Sequence, residues 1–170
     1  MRIIKRILLF VSILLLFGCV SLSSNISKNT IPGENQGIAF MGVKMSGNVY
    51  YWGVFINEEH KNIRQVDGRF NFSSKSPVEA ILLKSGIYYL SIATYANLNI
   101  YLNKPKIKVK VDKNYINYLG TIEFKADQIN MDFDVKMDVS GNTYHKAIDN
   151  FKQKFPEISR KYKFKYALLK

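Results

Sequence analysis

The residues best suited to catalysis or metal binding are few in this sequence and stand far apart. His60 lies in the polar run 57–62, and His145 lies in a segment with helical periodicity. Neither histidine has a second His or Cys at the spacing of a metal site. No phosphate-binding loop, dinucleotide fingerprint, zincin helix or nucleophile elbow occurs. We therefore predict no catalytic residue, no metal site and no cofactor, and we interpret both histidines as solvated side chains.

Three carboxylates alternate along one strand-like segment, at Asp132, Asp134 and Asp138. Calcium prefers oxygen ligands, so three carboxylates on one face are a candidate calcium site. However, side chains two residues apart on a strand lie about 6.6 Å apart, which is too far for adjacent ones to share a small ion easily. Lys136 also lies among them. The pattern favours a solvated acidic face.

Lysines alternate with apolar residues in two other segments. Lys104, Lys106, Lys108 and Lys110 would project from one face of a strand, and Lys161, Lys163 and Lys165 from a face of another. If the two strands are neighbours, these side chains form a dense basic patch. One interpretation is attraction to an anionic membrane or polymer surface. The alternative is protection of a strand edge against aggregation, and the two interpretations are compatible.

The first nineteen residues have the parts of an export signal. Arg2, Lys5 and Arg6 form a positive end, and an apolar run from residue 7 to 17 follows, broken only by Ser12. A short apolar run of this kind, ending in a small residue, is typical of a secretory signal peptide. Spanning a bilayer needs about 20 apolar residues, so a transmembrane anchor is the weaker interpretation.

The end of this segment, Leu16-Phe17-Gly18-Cys19, resembles the lipobox of bacterial lipoproteins. The resemblance implies that the thiol of Cys19, the only cysteine in the chain, is joined to a diacylglycerol and that residues 1–18 are then removed. The alternative is an ordinary secretory signal that ends near a cysteine. Val20 follows the cysteine, whereas Asp marks inner-membrane retention in enteric-type bacteria. We therefore expect a lipid-anchored protein of the cell envelope, in the outer membrane if the organism has one.

The charge of the chain indicates which partners suit it. Removing residues 1–18 takes away three of the 25 Lys and Arg and none of the 13 Asp and Glu, which lowers the net charge from +12 to +9. A strongly basic cytoplasmic protein would suggest nucleic acid, but export argues against that partner. The remaining counterparts are anionic lipid headgroups, lipopolysaccharide and acidic envelope polymers.

The pattern of the rest of the chain indicates a single β-rich domain. Residues 19–35 are rich in Ser and Asn and are predicted to be a flexible tether, and residues 36–170 are predicted to be the domain. Several β-rich runs separated by turn signals favour a β-sandwich, with residues 37–43 and 49–56 as its first hairpin. Apolar residues then recur at helical spacing from Tyr144 to Phe155, with Asn142 or Thr143 as the N-cap. The alternation from Lys161 to Leu168 predicts a last strand.

Three segments of the domain form one pattern: Leu83-Lys84-Ser85-Gly86-Ile87-Tyr88-Tyr89-Leu90, then Val109-Lys110-Val111, then Ile116-Asn117-Tyr118-Leu119-Gly120. This pattern is similar to one that recurs in small bacterial lipoproteins with a transthyretin-like or carboxypeptidase-regulatory-like β-sandwich. The resemblance covers about residues 80–125 and implies a sandwich and a location in the envelope. It implies no activity.

These observations predict a mainly β protein, an antiparallel β-sandwich with one C-terminal α-helix and a final short strand. We expect a lipid-anchored, extracytoplasmic binding or structural module, attached to the membrane through Cys19. Two alternatives stay open: a docking subunit of an envelope protein complex, and an enzyme that acts on envelope material. Trp52 lies in a segment that is apolar on both faces, so it is predicted to lie in the core.

Overall fold

The computed structural model describes residues 25–46, 51–58, 66–73, 75–95, 98–101, 107–127, 132–138 and 140–169. Cys19, His60, Lys104 and Lys106 lie outside these residues, and the backbone of Trp52 is described without its side chain. The strands are β1 Gln36–Ser46, β2 Tyr51–Glu58, β3 Gly68–Ser73, β4 Val78–Lys84, β5 Gly86–Tyr95, β6 Leu98–Tyr101, β7 Ile107–Val111, β8 Tyr115–Asp127, β9 Asp132–Asp138 and β10 Lys163–Tyr166. The helices are α1 Gly141–Lys154 and α2 Pro156–Lys161.

The strands form two five-stranded sheets. In sheet I the order is β3-β2-β5, and β6 and β7 both pair with β5. In sheet II the order is β4-β1-β8, and β9 and β10 both pair with β8. Most pairings are antiparallel, but β8 runs parallel to both β1 and β10. The chain therefore changes sheet between β1 and β2 and between β3 and β4, then again at Ser85, between β4 and β5, and at the 112–114 turn, between β7 and β8.

Two apolar cores hold three layers together. The first core lies between the sheets and includes Met41, Phe70, Leu90, Val109 and Phe124. The second lies between sheet II and the helices, where side chains such as Phe40, Tyr118 and Phe151 pack together. The rings of Phe40 and Phe151 are 4.8 Å apart between centroids, and those of Phe40 and Tyr118 are 5.2 Å apart. Sheet II is buried on both faces, which explains why β1 is apolar at successive positions.

The end of the chain closes the open side of the sandwich. After β10, the backbone N–H of Ala167 donates to the carbonyl oxygen of Tyr118 at 2.9 Å. The next residues pair with β7: the N–H of Lys110 donates to Ala167 at 2.7 Å, and the N–H of Leu169 donates to Lys108 at 3.0 Å. One edge of β7 is therefore covered by the chain's own last residues, which also brings β7 close to β10.

The mainly β sandwich with a helix near the C-terminus and a final short strand is confirmed. Two local predictions were wrong. Residues 36–46 and 51–58 do not form a hairpin, because β1 pairs with β4 and β8 whereas β2 pairs with β3 and β5. The N-cap of α1 is Ser140, and the Thr143 hydroxyl donates to the Ser140 carbonyl oxygen at 2.8 Å. Phe155 follows the last residue of α1, and Pro156 then begins α2.

Among the described residues, no helix is long and apolar enough to cross a membrane. Both sheets, both helices and both cores lie within residues 25–169. A chain that begins at Val20 therefore contains every helix and strand that the structure describes.

Candidate anion-binding face

The lysines of the predicted basic patch lie in three different settings. Lys108 and Lys110 project from β7, with Val109 and Val111 buried beneath the strand as the alternation predicts. Lys163 and Lys165 project from β10. Lys161 was expected on the same strand, but it is the last residue of α2, because the helix continues to this position before β10 begins. Lys104 and Lys106 lie outside the described residues.

Asp112 joins the two lysine-bearing strands. The ammonium of Lys165 donates a hydrogen bond to Asp112 Oδ2, and Lys110 Nζ lies 3.6 Å from Asp112 Oδ1. The hydrogen bond from Lys165 lowers the pKa of the Asp112 carboxyl, and the positive charge of Lys110 adds to this effect. The same hydrogen bond raises the pKa of Lys165. The expected meeting of the two strands therefore occurs, but a carboxylate occupies the point where they meet.

Other lysines near this point have no carboxylate partner in the part of the chain that the structure describes. An open depression of about 750 Å³ is bordered by Lys113, Tyr115, Lys161 and Lys163, with Asp112 in its wall. Lys161 also borders a smaller depression of about 240 Å³ with Lys28 and Ile31. Among the residues that the structure describes, no carboxylate forms an ion pair with Lys28, Lys113, Lys161 or Lys163. We call the surface formed by Lys28, Ile31, Lys113, Tyr115, Lys161 and Lys163 the basic face.

The turn that carries Lys113 is held by a buried amide. Asn117 is fully buried on β8, and its Oδ1 accepts a hydrogen bond from the Asp112 N–H at 3.0 Å. Its Nδ2 lies 2.9 Å from the Asp112 carbonyl oxygen and 3.0 Å from that of Tyr115. These bonds replace the ladder hydrogen bonds that the backbone loses where it leaves sheet I for sheet II. Asn117 thereby sets the direction in which Lys113 and Tyr115 project.

Two further residues make this tight turn sterically feasible. Asn114 has a φ of 63°, a left-handed conformation that Asn tolerates better than most residues. Gly37 of β1 lies directly behind the turn, and a Cβ there would come within 2.3 Å of the Asp112 carbonyl oxygen. The missing side chain at residue 37 therefore allows the turn to pack against sheet II.

The segment 25–35 contributes Lys28 and Ile31 to the basic face. Asn25 and Ile26 contact the edge of β4, where the Ile26 N–H donates to the Ala80 carbonyl oxygen at 2.8 Å. A turn follows in which the Ser27 N–H donates to the Thr30 hydroxyl at 2.9 Å. This turn lies within the segment that the sequence predicts to be a tether. In the structure it presents Lys28 beside α2.

A second polar group, which we call the Glu79 cluster, fixes the start of that segment. It consists of Asn25, Ser76, Glu79 and Lys154. Glu79 is buried, and Lys154 Nζ at the end of α1 lies 2.7 Å from its carboxylate. Asn25 Nδ2 donates to Glu79 at 2.8 Å and to the Asn71 carbonyl oxygen at 2.7 Å. The cluster thus ties the N-terminal segment to β3 of sheet I, β4 of sheet II and α1.

The remaining candidates from the sequence do not form a reactive site in the described residues. Asp134 pairs with Lys136 at 2.7 Å, and Asp138 lies 3.5 Å from Lys44. The Ser140 backbone N–H lowers the pKa of Asp138 by donating to its carboxylate, with Lys44 adding to the effect. Among the described residues no group of three His, Cys, Asp or Glu side chains could hold a metal ion. His145 is an exposed residue of α1.

Comparisons with other proteins give no further information about the basic face. Scans against protein-family models, the curated proteins and the solved structures each find no match to this chain.

Sequence reasoning missed Lys28, Lys113 and the role of Asp112. Neither residue lies in an alternating segment, and Lys28 falls within the predicted tether. The usable signal for Lys113 was the adjacent Asn114, since an Asn after a β-rich run indicates a tight turn whose neighbours project outward. No local pattern in the sequence indicated that Asp112 would lie between Lys110 and Lys165.

Proposed function

We propose that this chain is a lipid-anchored lipoprotein of the bacterial cell envelope whose β-sandwich is an extracytoplasmic binding module for an anionic partner. The N-terminal sequence supports the anchor: a positive end, a short apolar run and Cys19 as the only cysteine. Two or three acyl chains on one cysteine would make the anchor durable, because a single chain holds a protein only reversibly.

The basic face is the observation that carries the binding role. Its four lysines project from three separate parts of the chain, residues 25–35, the β7–β8 turn and the α2–β10 region, and the fold brings them together. Ion pairs elsewhere in the described structure show that carboxylates are available to neutralise lysines, as at Lys44, Lys136 and Lys154. Unneutralised lysines around an open depression attract anions over a distance of about one Debye length, roughly 8–10 Å.

The anchor can be tested by metabolic labelling of the full chain with an alkyne palmitate in a bacterial host. Wild type should incorporate label and be shortened by 18 residues, because cleavage is expected before Cys19. Cys19→Ser lacks the acceptor thiol and should remain unlabelled and unprocessed. Equal labelling of both chains would refute the lipid anchor on Cys19. Cell fractionation of the labelled wild type then tests the envelope location.

A further inference from the structure

We propose that the anionic partner is the membrane surface itself, and that the basic face docks the domain flat against anionic headgroups with Ile31 inserted among them. The inference rests on the proposed function for the location of the domain. It goes further in naming the ligand, the residues that contact it and the orientation in which the domain lies.

The short connection to the predicted anchor favours the membrane as the partner. Asn25 follows Cys19 after five intervening residues, and there the chain is already fixed to β4 and to the Glu79 cluster. This connection can span at most about 20 Å, the length it has when fully extended. Lys28 and Ile31 follow within the next six residues. An anchored domain therefore holds this part of its surface near the bilayer.

Ile31 gives the basic face an apolar contact that a soluble polyanion does not need. Its relative exposure is 76%, whereas the other large exposed hydrophobics of the described residues, Tyr115, Tyr166 and Leu169, are 38–39% exposed. Scattered exposed apolar residues are ordinary, but this one borders a depression between Lys28 and Lys161. An apolar tip beside the two lysines of this depression suits the boundary between anionic headgroups and acyl chains.

Tyr115 completes this arrangement at the other end of the basic face. Its ring lies beneath the Lys165 ammonium, 5.5 Å from the ring centroid, and the side chain borders the larger depression. Tyrosine is enriched at membrane interfaces because its ring is apolar and its hydroxyl is polar. The two acidic side chains of this region, Asp112 and Glu157, already have the cationic partners Lys165 and Arg160. They therefore leave the four unpaired lysines available to lipid phosphates.

Co-sedimentation of an unlipidated chain beginning at Val20 tests the proposal. The vesicles are pure phosphatidylcholine or phosphatidylcholine with phosphatidylglycerol, across a salt series. Wild type should bind only the anionic vesicles, and salt should weaken the binding. Each exposed lysine near an anionic bilayer contributes about five-fold to the binding constant, so Lys161→Glu/Lys163→Glu should reduce it by about 25-fold or more.

The matched control is Lys125→Glu/Lys136→Glu, which makes the same charge change beside β9. Both residues are exposed, and both lie at the opposite end of β8 from Tyr115. If orientation matters, this variant should bind within about two-fold of wild type, because its charges lie more than a Debye length from the docked surface. Equal losses in the two variants would show attraction by net charge alone and would overturn the proposal.

A variant that should bind anionic vesicles more tightly provides an independent test. Asp112→Asn removes the carboxylate that neutralises Lys110 and Lys165, so binding to anionic vesicles should increase about five-fold. Asp134→Asn makes the same charge change at β9 and should leave binding unchanged. An equal increase in both variants, or none in Asp112→Asn, would contradict the assigned face.

Ile31→Ser distinguishes a bilayer from a soluble acidic polymer. Ile31 is exposed, so the variant should fold normally, which circular dichroism and thermal melting can verify. Its affinity for anionic vesicles should fall about ten-fold, since burial of a large aliphatic side chain is lost. Its affinity for soluble polygalacturonate should not change. Vesicle binding that is indifferent to Ile31, or polymer binding without vesicle binding, would overturn the membrane assignment. The palmitate experiment decides the anchor separately, because these assays contain no lipidated protein.

Discussion

Lys154 and Lys161 are the last residues of the two successive helices, and their surroundings are opposite. Lys154 ends at the buried carboxylate of Glu79, and its ammonium also donates to the Ser76 hydroxyl at 2.8 Å and the Val78 carbonyl oxygen at 3.0 Å. Lys161 borders two open depressions and, among the described residues, forms no ion pair.

This difference separates two uses of the same side chain. In the Glu79 cluster, each donor of Lys154 is taken up by the protein, so the lysine stabilises the contact between α1, β4 and the N-terminal segment. On the basic face, the charge of Lys161 is left for an external anion. The two regions are also coupled, because Asn25 of the Glu79 cluster positions the turn that carries Lys28.

The largest expected effect is that of Glu79→Ala. It leaves Lys154, whose side chain is 32% exposed, without its carboxylate and removes one side-chain hydrogen bond of Asn25. Removing one partner of a buried ion pair costs 3–5 kcal/mol, and partial exposure of Lys154 places our expectation at about 3 kcal/mol. Urea unfolding measures the loss. Trypsin cleavage after Lys28 should also become faster, since the segment loses one of its attachments while those to Asn71 and Ala80 remain.

Glu123→Ala is the control for that experiment. Glu123 pairs with Lys44 at 2.5 Å, but its side chain is 30% exposed and that of Lys44 45%, whereas the side chain of Glu79 is only 8% exposed. Surface pairs of this kind contribute about 0–1 kcal/mol. If Glu79→Ala lowers the free energy of unfolding no more than Glu123→Ala does, Lys154 does not have the structural role assigned to it.

A smaller loss is expected for Asn117→Ala, about 2 kcal/mol. The substitution leaves the half-buried N–H and carbonyl groups of Asp112 without their side-chain partner. Because Asn117 shapes the β7–β8 turn, binding to anionic vesicles should also weaken, although no charge changes. A variant with full stability and full vesicle binding would show that the turn keeps its conformation without the buried amide.

The smallest effect is the pH dependence of the Asp112 contacts. Its pKa in the folded state lies below the ordinary value of 3.8, chiefly because of the hydrogen bond from Lys165. The resulting stabilisation is therefore present above that value and is lost as the pH falls through the folded pKa. Between about pH 5 and 2, wild type should lose more stability than Asp112→Asn. If the two proteins lose stability equally as the pH falls, the Asp112 carboxylate does not stabilise the fold through these contacts.

The fold class was predictable from the sequence because alternation along segments such as 107–111 and 132–138 reports which side chains face a core. Val109 and Val111 are buried, and Val135 and Met137 pack against the first core, as the pattern indicates. Sheet membership was not predictable. The Ser85 and 112–114 connections are as short as hairpin turns, yet each carries the chain from one sheet to the other.

The site was predictable only where its lysines alternate. Lys163 and Lys165 were identified in this way, but Lys163 lies on the basic face whereas Lys165 pairs with Asp112. That outcome depends on the C-terminal residues crossing to β7, which is a long-range contact that no local pattern contains. Lys28 and Ile31 were missed for the same reason, since their position depends on the buried Glu79.

The most direct test of the basic face uses the fact that Cys19 is the only cysteine. In an unlipidated chain beginning at Val20, Asn29→Cys and Ser46→Cys each introduce one exposed attachment site for an environment-sensitive fluorophore. Asn29 borders the smaller depression of the basic face, whereas Ser46 pairs with Lys125 at the far end of β8. On binding anionic vesicles, the fluorophore at residue 29 should shift to the blue and the fluorophore at residue 46 should not. Equal shifts at both positions, or a shift only at residue 46, would contradict the account.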